Sequence, residues 1–192
     1  MREPELLIVD GVTGTGKSTL LEFLRRDYAG SIRVGATLTE RRRRPTDATW
    51  EYRFVDEIPE RLAKFTYASV GNRYAIDLDE IASAVSAGLC YSFTCANYAI
   101  IEFLRSRFKT VVIYVYRPLT SEEIQALMIR RQAESTEDVE ARCVDAARVL
   151  EDYATYIQTY DFVLLNAGTI GDFENQARAM LRCCAIPARR TD

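Results

Sequence analysis

Short apolar runs alternate along the chain with longer stretches in which apolar residues recur every three or four positions. Continuous apolar runs are typical of strands that are buried on both faces of a parallel sheet. They predict strands at 5–10, 89–94, 110–116 and 162–165. The stretches between them have the spacing of amphipathic helices, beginning with Leu20, Leu21, Phe23 and Leu24. Strands that alternate with helices in this way indicate an α/β fold with a parallel core sheet.

Capping residues mark several helix boundaries. Asp77 and Gly88 are expected to begin and end a helix over 78–87, and Thr120 and Glu123 have the spacing of a capping box. The other elements are expected as strands at 32–34 and 50–55, a hairpin that turns at 71–72, helices at 58–64, 98–104, 136–160 and 172–184, and polar functional loops at 39–49 and 131–135.

The composition is that of one soluble globular domain. The chain has 192 residues, and its 25 basic and 28 acidic side chains give a net charge of −3. Because this balance provides no basic field, we expect no nucleic-acid partner. The five cysteines form no C-x-x-C pair, no secretory leader is visible, and the longest apolar run, 111–116, is too short for a bilayer. These features favour a cytoplasmic protein with reduced thiols and no membrane partner.

The chain contains no histidine. This excludes Ser-His-Asp and Cys-His nucleophiles, histidine-ligated metals and a histidine general base. All but three of the 25 basic residues are arginines. The excess reflects either a compositional bias or the bidentate binding of phosphate or carboxylate groups.

The segment Gly11-Val-Thr-Gly-Thr-Gly-Lys-Ser18 matches the phosphate-loop pattern G-x-x-x-x-G-K-[ST] in full. It follows a predicted strand and opens a predicted helix, which is the context that this motif requires. Its backbone N–H groups would curl around phosphate oxygens at the positive end of the helix. Lys17 would reach the β- and γ-phosphates, and Ser18 would ligate Mg²⁺. The residues expected to bind the triphosphate are Gly11, Thr13, Gly14, Thr15, Gly16, Lys17, Ser18 and Thr19.

Arginines are concentrated beside the two polar loops. Four follow one another at 41–44, Arg130 and Arg131 lie at the second loop, and Arg142 follows it. Phosphoryl transfer depends on positive charge around the transferring group. An acceptor that is itself a phosphate is already an anionic nucleophile, so a chain without histidine can use it. A solvated charge run or a nucleic-acid patch is the alternative interpretation of 41–44.

Five further stretches follow the phosphate loop in order. They are Thr37-Leu-Thr-Glu-Arg41-Arg-Arg-Arg44-Pro45, Tyr52-Arg-Phe-Val55, Gly71-Asn-Arg-Tyr74, Arg131-Gln-Ala-Glu134 with Glu137 and Arg142, and Tyr160-Asp-Phe-Val-Leu-Leu-Asn166. In this order and with these residues, the chain resembles the guanylate kinase family of nucleoside monophosphate kinases over most of its length. The patterns of that family at the five stretches are S-x-T-T-R-x-P-R, Y-x-F-V, G-N-Y-Y-G-[ST], R-G-x-E-x-x-E…R and Y-D-x-x-[IV]-x-N.

The resemblance implies one P-loop kinase domain over 1–192. Its parts would be a parallel core sheet flanked by helices (1–33, 89–125 and 143–186), a small mixed acceptor-binding subdomain (about 34–88) and a helical lid (about 126–142). ATP would be the phosphoryl donor, Mg²⁺ the cofactor and a nucleoside monophosphate the other partner. The resemblance is compatible with a monomer or a homodimer.

The resemblance also assigns roles to individual residues. The acceptor's phosphate would be held by Arg41, Arg44, Tyr52 and Tyr74. Arg131 and Arg142 would close over the transferring phosphoryl group, and Asn166 would lie near the adenine. With Lys17 and Arg41, these two arginines make up the implied catalytic set.

The positions that read guanine in the family differ in this chain. The family's glutamate, six residues before the G-N glycine, is Phe65 here, and its hydroxyl two residues after the second tyrosine is Ile76. The family's D-x-D falls on Thr94-Cys-Ala96, and only Thr37 keeps a hydroxyl among the base-reading positions. Each buried donor of guanine left unpaired would cost about 1–3 kcal/mol. We therefore expect an acceptor base other than ordinary guanine, in contact with Thr37, Phe65, Ile76 and Ala96.

Several alternatives stay open at this point. A shift in register could bring Glu57 or Glu60 into the base pocket, which would restore an ordinary GMP or dGMP kinase. A kinase of the same fold that acts on a phosphorylated ribose would also lack the guanine-reading acids. A binding module without turnover is disfavoured by the intact Lys17 and Ser18, and a nucleic-acid-binding protein by the net charge.

Overall fold

A computed structural model describes residues 3–44, 47–69, 71–120, 122–123, 126, 144 and 151–188. The described residues form nine strands, numbered along the chain: β1 (Leu6–Asp10), β2 (Ile32–Val34), β3 (Thr37–Thr39), β4 (Tyr52–Phe54), β5 (Thr66–Ser69), β6 (Asn72–Ala75), β7 (Cys90–Thr94), β8 (Thr110–Tyr116) and β9 (Phe162–Leu165). The helices are α1 (Lys17–Asp27), α2 (Leu78–Ser86), α3 (Tyr98–Arg105) and α4 (Ile170–Cys183), with 3₁₀ turns at Glu60–Phe65 and Ile157–Thr159.

Five strands form a parallel sheet in the order β2-β7-β1-β8-β9. The central strand β1 is buried along its whole length, because it pairs on both sides and is covered on both faces. Leu7 and Val9 pack with α1 and α4, and Leu6 and Ile8 pack with α2 and α3. Burial on both faces explains why β1 is continuously apolar, and the predicted α/β architecture with a parallel core sheet is confirmed.

A second, four-stranded sheet has the order β4-β3-β6-β5. Strands β3 and β4 are parallel, and the other pairs are antiparallel. A small apolar cluster formed by Leu38, Ile58, Leu62 and Ala75 supports this sheet. The sheet lies within 34–88, the segment expected to bind the acceptor, and β4 lies at its edge as its alternating pattern predicts.

Some elements differ from their predicted form. The helix expected over 58–64 is a 3₁₀ helix at Glu60–Phe65. Strand β3 was not predicted, because a strand of three residues is too short to show an alternation of apolar and polar positions. The predicted capping box is present, since the Glu123 N–H donates to Thr120 Oγ1 at 3.2 Å and the Thr120 N–H to Glu123 Oε2 at 2.8 Å. Apart from Ala126, the lid expected at 126–142 lies outside the described residues. Among the described helices, none has the length and apolarity to cross a membrane.

Asp77 begins α2 as predicted. Its Oδ1 accepts from the Asp79 N–H at 3.1 Å, and its Oδ2 accepts from Arg61 Nη2 at 2.7 Å. The Arg61 guanidinium lowers the pKa of Asp77, and the Asp79 N–H adds to this effect against the opposing effect of burial.

Asp77→Ala is expected to lower the free energy of unfolding by about 1 kcal/mol, the usual cost of losing a helix N-cap. Urea denaturation measures this change, and Asp77→Asn is the matched control because it keeps the cap without the charge. The difference between Asp77→Ala and the original chain should shrink as the pH falls through the lowered pKa of Asp77, since protonation removes the charged partner of Arg61. An unchanged urea midpoint in Asp77→Ala at neutral pH would contradict the capping role.

Candidate active site

The phosphate loop connects β1 to α1 and leaves the N-terminus of α1 open. Gly11, Gly14 and Gly16 have φ angles of 139°, 82° and 109°, a region that glycine adopts readily. Gly16 makes no side-chain cap, and the first turn of α1 contains no acidic residue. Backbone N–H groups at a helix N-terminus attract anions. The loop therefore has the geometry of a phosphate cradle.

Two neighbours hold this loop closely. A Cβ on Gly11 would collide with the carbonyl oxygen of Val115, and a Cβ on Gly16 would lie 2.5 Å from Asn166 Nδ2. That same Nδ2 donates to the carbonyl oxygen of Thr15 at 2.7 Å. Asn166 thus lies against the phosphate loop, and its contact with an adenine stays a prediction.

Lys17 and Ser18 follow the last glycine of the loop. Lys17 Nζ donates to the carbonyl oxygens of Gly11 and Val12 at 2.6 and 2.9 Å. Ser18 Oγ donates to Glu51 Oε1 at 2.8 Å. No motif singles out Glu51, whose contact with Ser18 spans 33 positions of the chain.

A cavity of about 380 Å³ extends from the phosphate loop to the second sheet. It brings together most of the side chains that the sequence singles out. Those that line it are Gly11, Thr13, Gly14, Gly16, Lys17, Ser18, Thr19, Arg41, Arg44, Tyr52, Tyr74, Ala96 and Asn166. Thr15 lies on the other side of the loop, where it borders a cavity of about 260 Å³ next to residues 116–120.

Arg41 is the most enclosed of the four consecutive arginines. Its side chain is 4% exposed and forms a bidentate ion pair with Asp47, at 2.7 and 2.8 Å. Its guanidinium carbon lies 4.4 Å from the ring centre of Tyr52, a distance typical of a cation–π contact. Although burial raises the pKa of Asp47, the hydrogen bonds from Arg41 and the Arg44 N–H outweigh it and lower that pKa. The pair therefore holds Arg41 in place at the cavity wall.

The structure separates the four arginines into two kinds. Arg41 and Arg44 line the cavity, whereas Arg42 and Arg43 are exposed and do not. Tyr52 and Tyr74 line the same part of the cavity, and burial raises the pKa of both hydroxyls, so both are neutral donors at physiological pH. Two arginines and two tyrosine hydroxyls on one wall are suited to binding a phosphate.

Three of the four residues predicted to contact the acceptor base do not line the cavity. Phe65 lies 5.1 Å from Phe103, ring centre to ring centre, and Ile76 is 4% exposed in the same apolar cluster. Thr37 is 4% exposed in β3. None of the three predicted contacts lines the cavity, because each packs into the protein interior; their contact with a base stays a prediction.

Tyr67 of β5 lines the cavity in this region. Its ring stacks on that of Tyr74, with centres 5.5 Å apart. The end of β7 lies opposite and contributes Thr94, Cys95 and Ala96. Tyr67 belongs to none of the motifs that the sequence shares with the family, so these motifs could not identify it.

The two glutamates that a register shift could have brought into the pocket lie elsewhere. Glu57 and Glu60 are exposed, and neither lines the cavity. In this structure the base region thus has neither the family's glutamate at position 65 nor a substitute from these two positions.

Asp10, at the end of β1, is a second carboxylate that the sequence did not reveal. It is 1% exposed and lines the cavity. Its Oδ1 accepts from the Gly11 N–H at 2.6 Å, and its Oδ2 accepts from the Tyr160 hydroxyl at 2.7 Å. Burial raises the pKa of Asp10, although these two hydrogen bonds partly lower it. Asp10 therefore connects the phosphate loop to Tyr160, which directly follows the 3₁₀ turn at Ile157–Thr159.

Arg131 and Arg142 lie outside the described residues. Within the described part of the chain, no group of three or more His, Cys, Asp or Glu side chains could hold a metal by itself. The Ser18 hydroxyl and the Glu51 carboxylate do fit Mg²⁺, which takes oxygen ligands and combines one or two carboxylates with water and substrate phosphates.

Comparisons with known proteins agree with the site. No protein-family profile matches the chain. A guanylate kinase of Agrobacterium fabrum is 27% identical over 177 residues, which cover 88% of this chain and 78% of that protein. A guanylate kinase of Mycoplasmoides gallisepticum is 24% identical over 168 residues, or 84% of each protein.

A solved structure shares the fold. The crystal structure of guanylate kinase from Anaplasma phagocytophilum superposes with a TM-score of 0.62 at 20% identity, and covers 95% of this chain and 87% of that one. The chain is therefore similar to guanylate kinases in sequence and in fold, and it has an intact phosphate loop like theirs in the position that this fold requires.

Proposed function

We propose that this protein transfers the γ-phosphoryl group of ATP to the phosphate of a nucleoside or deoxynucleoside monophosphate. One observation carries the proposal: a single cavity is lined both by the phosphate loop with Lys17 and by Arg41, Arg44, Tyr52 and Tyr74. A donor triphosphate on the loop and an acceptor phosphate held by the arginines and tyrosines would share this cavity.

The chemistry follows from this arrangement. The loop's N–H groups and Lys17 hold the donor's phosphates, while Arg41 and Arg44 neutralise the acceptor's phosphate and orient its oxygen towards the γ-phosphorus. That oxygen is already anionic, so no general base is needed in a chain without histidine. Mg²⁺, when bound near Ser18, supplies further positive charge. Arg131 and Arg142 are proposed to close over the transferring group and exclude water.

We further propose that the acceptor base is not ordinary guanine. The positions of the family's guanine-reading acids carry Phe65, Thr94 and Ala96. Tyr67, which has no carboxylate either, lines the cavity together with Thr94 and Ala96. Asp10 does not replace them, since both of its oxygens already accept hydrogen bonds. An ordinary GMP kinase agrees equally well with the relatives' names, so the choice of acceptor needs a direct test.

A coupled ADP-release assay with ATP–Mg²⁺, a panel of ribo- and deoxynucleoside monophosphates and a phosphorylated ribose tests both parts. We expect GMP to have a kcat/KM at least about 10-fold below the best acceptor, because one unpaired donor costs more than 1 kcal/mol. Turnover of GMP equal to the best acceptor would make the protein an ordinary GMP kinase. Turnover of a phosphorylated ribose alone would reject the nucleotide acceptor, and ATP binding without any turnover would favour a binding module.

A restored acid sharpens the test. Ala96 lines the cavity at the position of the second aspartate in the family's D-x-D. Ala96→Asp should therefore shift the acceptor preference towards GMP. Ala99→Asp is the matched control, because Ala99 is exposed on α3 away from the cavity. A preference that Ala96→Asp leaves unchanged would show that this position does not contact the base.

A further inference from the structure

Glu51 has no role in the function proposed above, yet it occupies a central position. The residue is 7% exposed and lines the cavity. Its Oε1 accepts from the Ser18 hydroxyl at 2.8 Å. A carboxylate is costly to bury without partners, so its retention beside the phosphate loop calls for an explanation.

The chemistry of its partner suggests that explanation. Ser18 is the residue expected to ligate Mg²⁺, and Mg²⁺ in nucleotide sites combines one or two carboxylates with water and phosphate oxygens. We infer that Glu51 supplies the protein carboxylate of the Mg²⁺ site, bound either to the metal itself or to one of its waters. The inference rests on the proposed function, since it requires a nucleotide on the phosphate loop.

Asp10, another buried carboxylate that lines the cavity, is less suited to this role. The Asp10 oxygens accept from the Gly11 N–H and the Tyr160 hydroxyl. The end of β7 carries Thr94 and Ala96 where the family has acids. Glu51 instead directs an oxygen at the Ser18 hydroxyl itself.

The position of Glu51 in the fold gives the inference a consequence. Its backbone adjoins the second sheet: its carbonyl accepts from the Thr37 N–H at 3.0 Å, and the next residue, Tyr52, begins β4. Ser18 belongs to α1 of the core. A metal held by both would join the donor's loop to the wall that binds the acceptor's phosphate.

Binding of Mn²⁺, measured by electron paramagnetic resonance with saturating ADP, tests the inference without turnover. We expect Glu51→Gln to weaken Mn²⁺ binding about 10-fold or more, the usual effect of removing a ligand's supporting group. Glu57→Gln is the matched control, because this glutamate is exposed in the same part of the chain. Trp50 is the only tryptophan and adjoins Glu51, so its fluorescence is expected to respond to the metal in the original chain and less in Glu51→Gln.

The outcomes separate this inference from the proposed function. ADP affinity in EDTA should be the same in the original chain and in Glu51→Gln. Equal Mn²⁺ affinities in these two proteins, both with ADP bound, would overturn the inference alone. Failure of the original chain to bind ADP would overturn the proposed function and the inference with it. If urea denaturation shows that Glu51→Gln does not fold, Glu51→Asp, which withdraws the carboxylate by one methylene, is expected to weaken Mn²⁺ binding and replaces it.

Discussion

Lys17→Ala is expected to lower the rate of phosphoryl transfer by at least about 100-fold, because the substitution removes the loop's positive charge from the transferring group. Lys17 Nζ also donates to the carbonyl oxygens of Gly11 and Val12, so the side chain helps to shape the loop. The measurement is kcat/KM with ATP–Mg²⁺ and the best acceptor of the panel.

A matched variant separates this effect from a general loss of lysine. Lys64→Ala removes an exposed lysine in the 3₁₀ turn at Glu60–Phe65 and should leave the rate unchanged. Urea denaturation of Lys17→Ala establishes that the protein is folded when the rate is measured. A folded Lys17→Ala enzyme with a rate within about 3-fold of the original would rule out charge stabilisation by Lys17.

The core of the fold could be predicted because its signals are local and agree with one another. A continuous apolar run predicts β1 and β8, and Asp77 and Thr120 mark helix starts with the hydrogen bonds that caps make. The second sheet was harder to predict, since β3 and β4 have three residues each and depend on pairing with distant strands. Short strands of this kind are specified by tertiary contacts more than by period.

The candidate site was predictable to the extent that it depends on motifs. The phosphate loop, Arg41, Arg44 and Tyr74 come together in one cavity, as the order of their motifs implies. Glu51 could not be found in this way, because a single acidic residue between Trp50 and Tyr52 carries no pattern. Its significance lies in a hydrogen bond to a residue 33 positions away.

The base region shows a further limit of motif transfer. Counting along the chain from Gly71 leads to Phe65. The structure places the Phe65 ring against Phe103, whereas Tyr67 lines the cavity. An alignment with the family's motif identifies which residue stands at the position of the family's glutamate. It does not show whether an apolar side chain at that position packs into the core or faces the ligand.

Asp47 adds a functional constraint that sequence alone does not show. Its carboxylate takes both outer nitrogens of Arg41 and also accepts from the Arg44 N–H at 2.6 Å. The two arginines of the cavity wall are therefore linked by one acidic residue. An acceptor phosphate would join an arrangement that is already ordered, which lowers the entropic cost of binding.

Arg41→Ala is expected to lower kcat/KM for the acceptor by at least about 100-fold, because its enclosed guanidinium lines the cavity and is proposed to neutralise the acceptor's phosphate. The affinity for ADP should change little, since the Arg41 side chain contacts Asp47 and Tyr52 and not the phosphate loop. Arg43→Ala is the matched control: this arginine is two residues away, exposed and outside the cavity, and its loss should leave the rate unchanged.

The ion pair requires one more variant before the loss can be assigned to chemistry. Removing Arg41 leaves Asp47 enclosed without its partner, which can destabilise a protein by about 3–5 kcal/mol. The double variant Arg41→Ala/Asp47→Ala removes this unpaired charge, so it should recover stability in urea without recovering activity. Recovery of activity together with stability would assign Arg41 a structural role alone, and near-normal activity in Arg41→Ala itself would exclude it from the acceptor site.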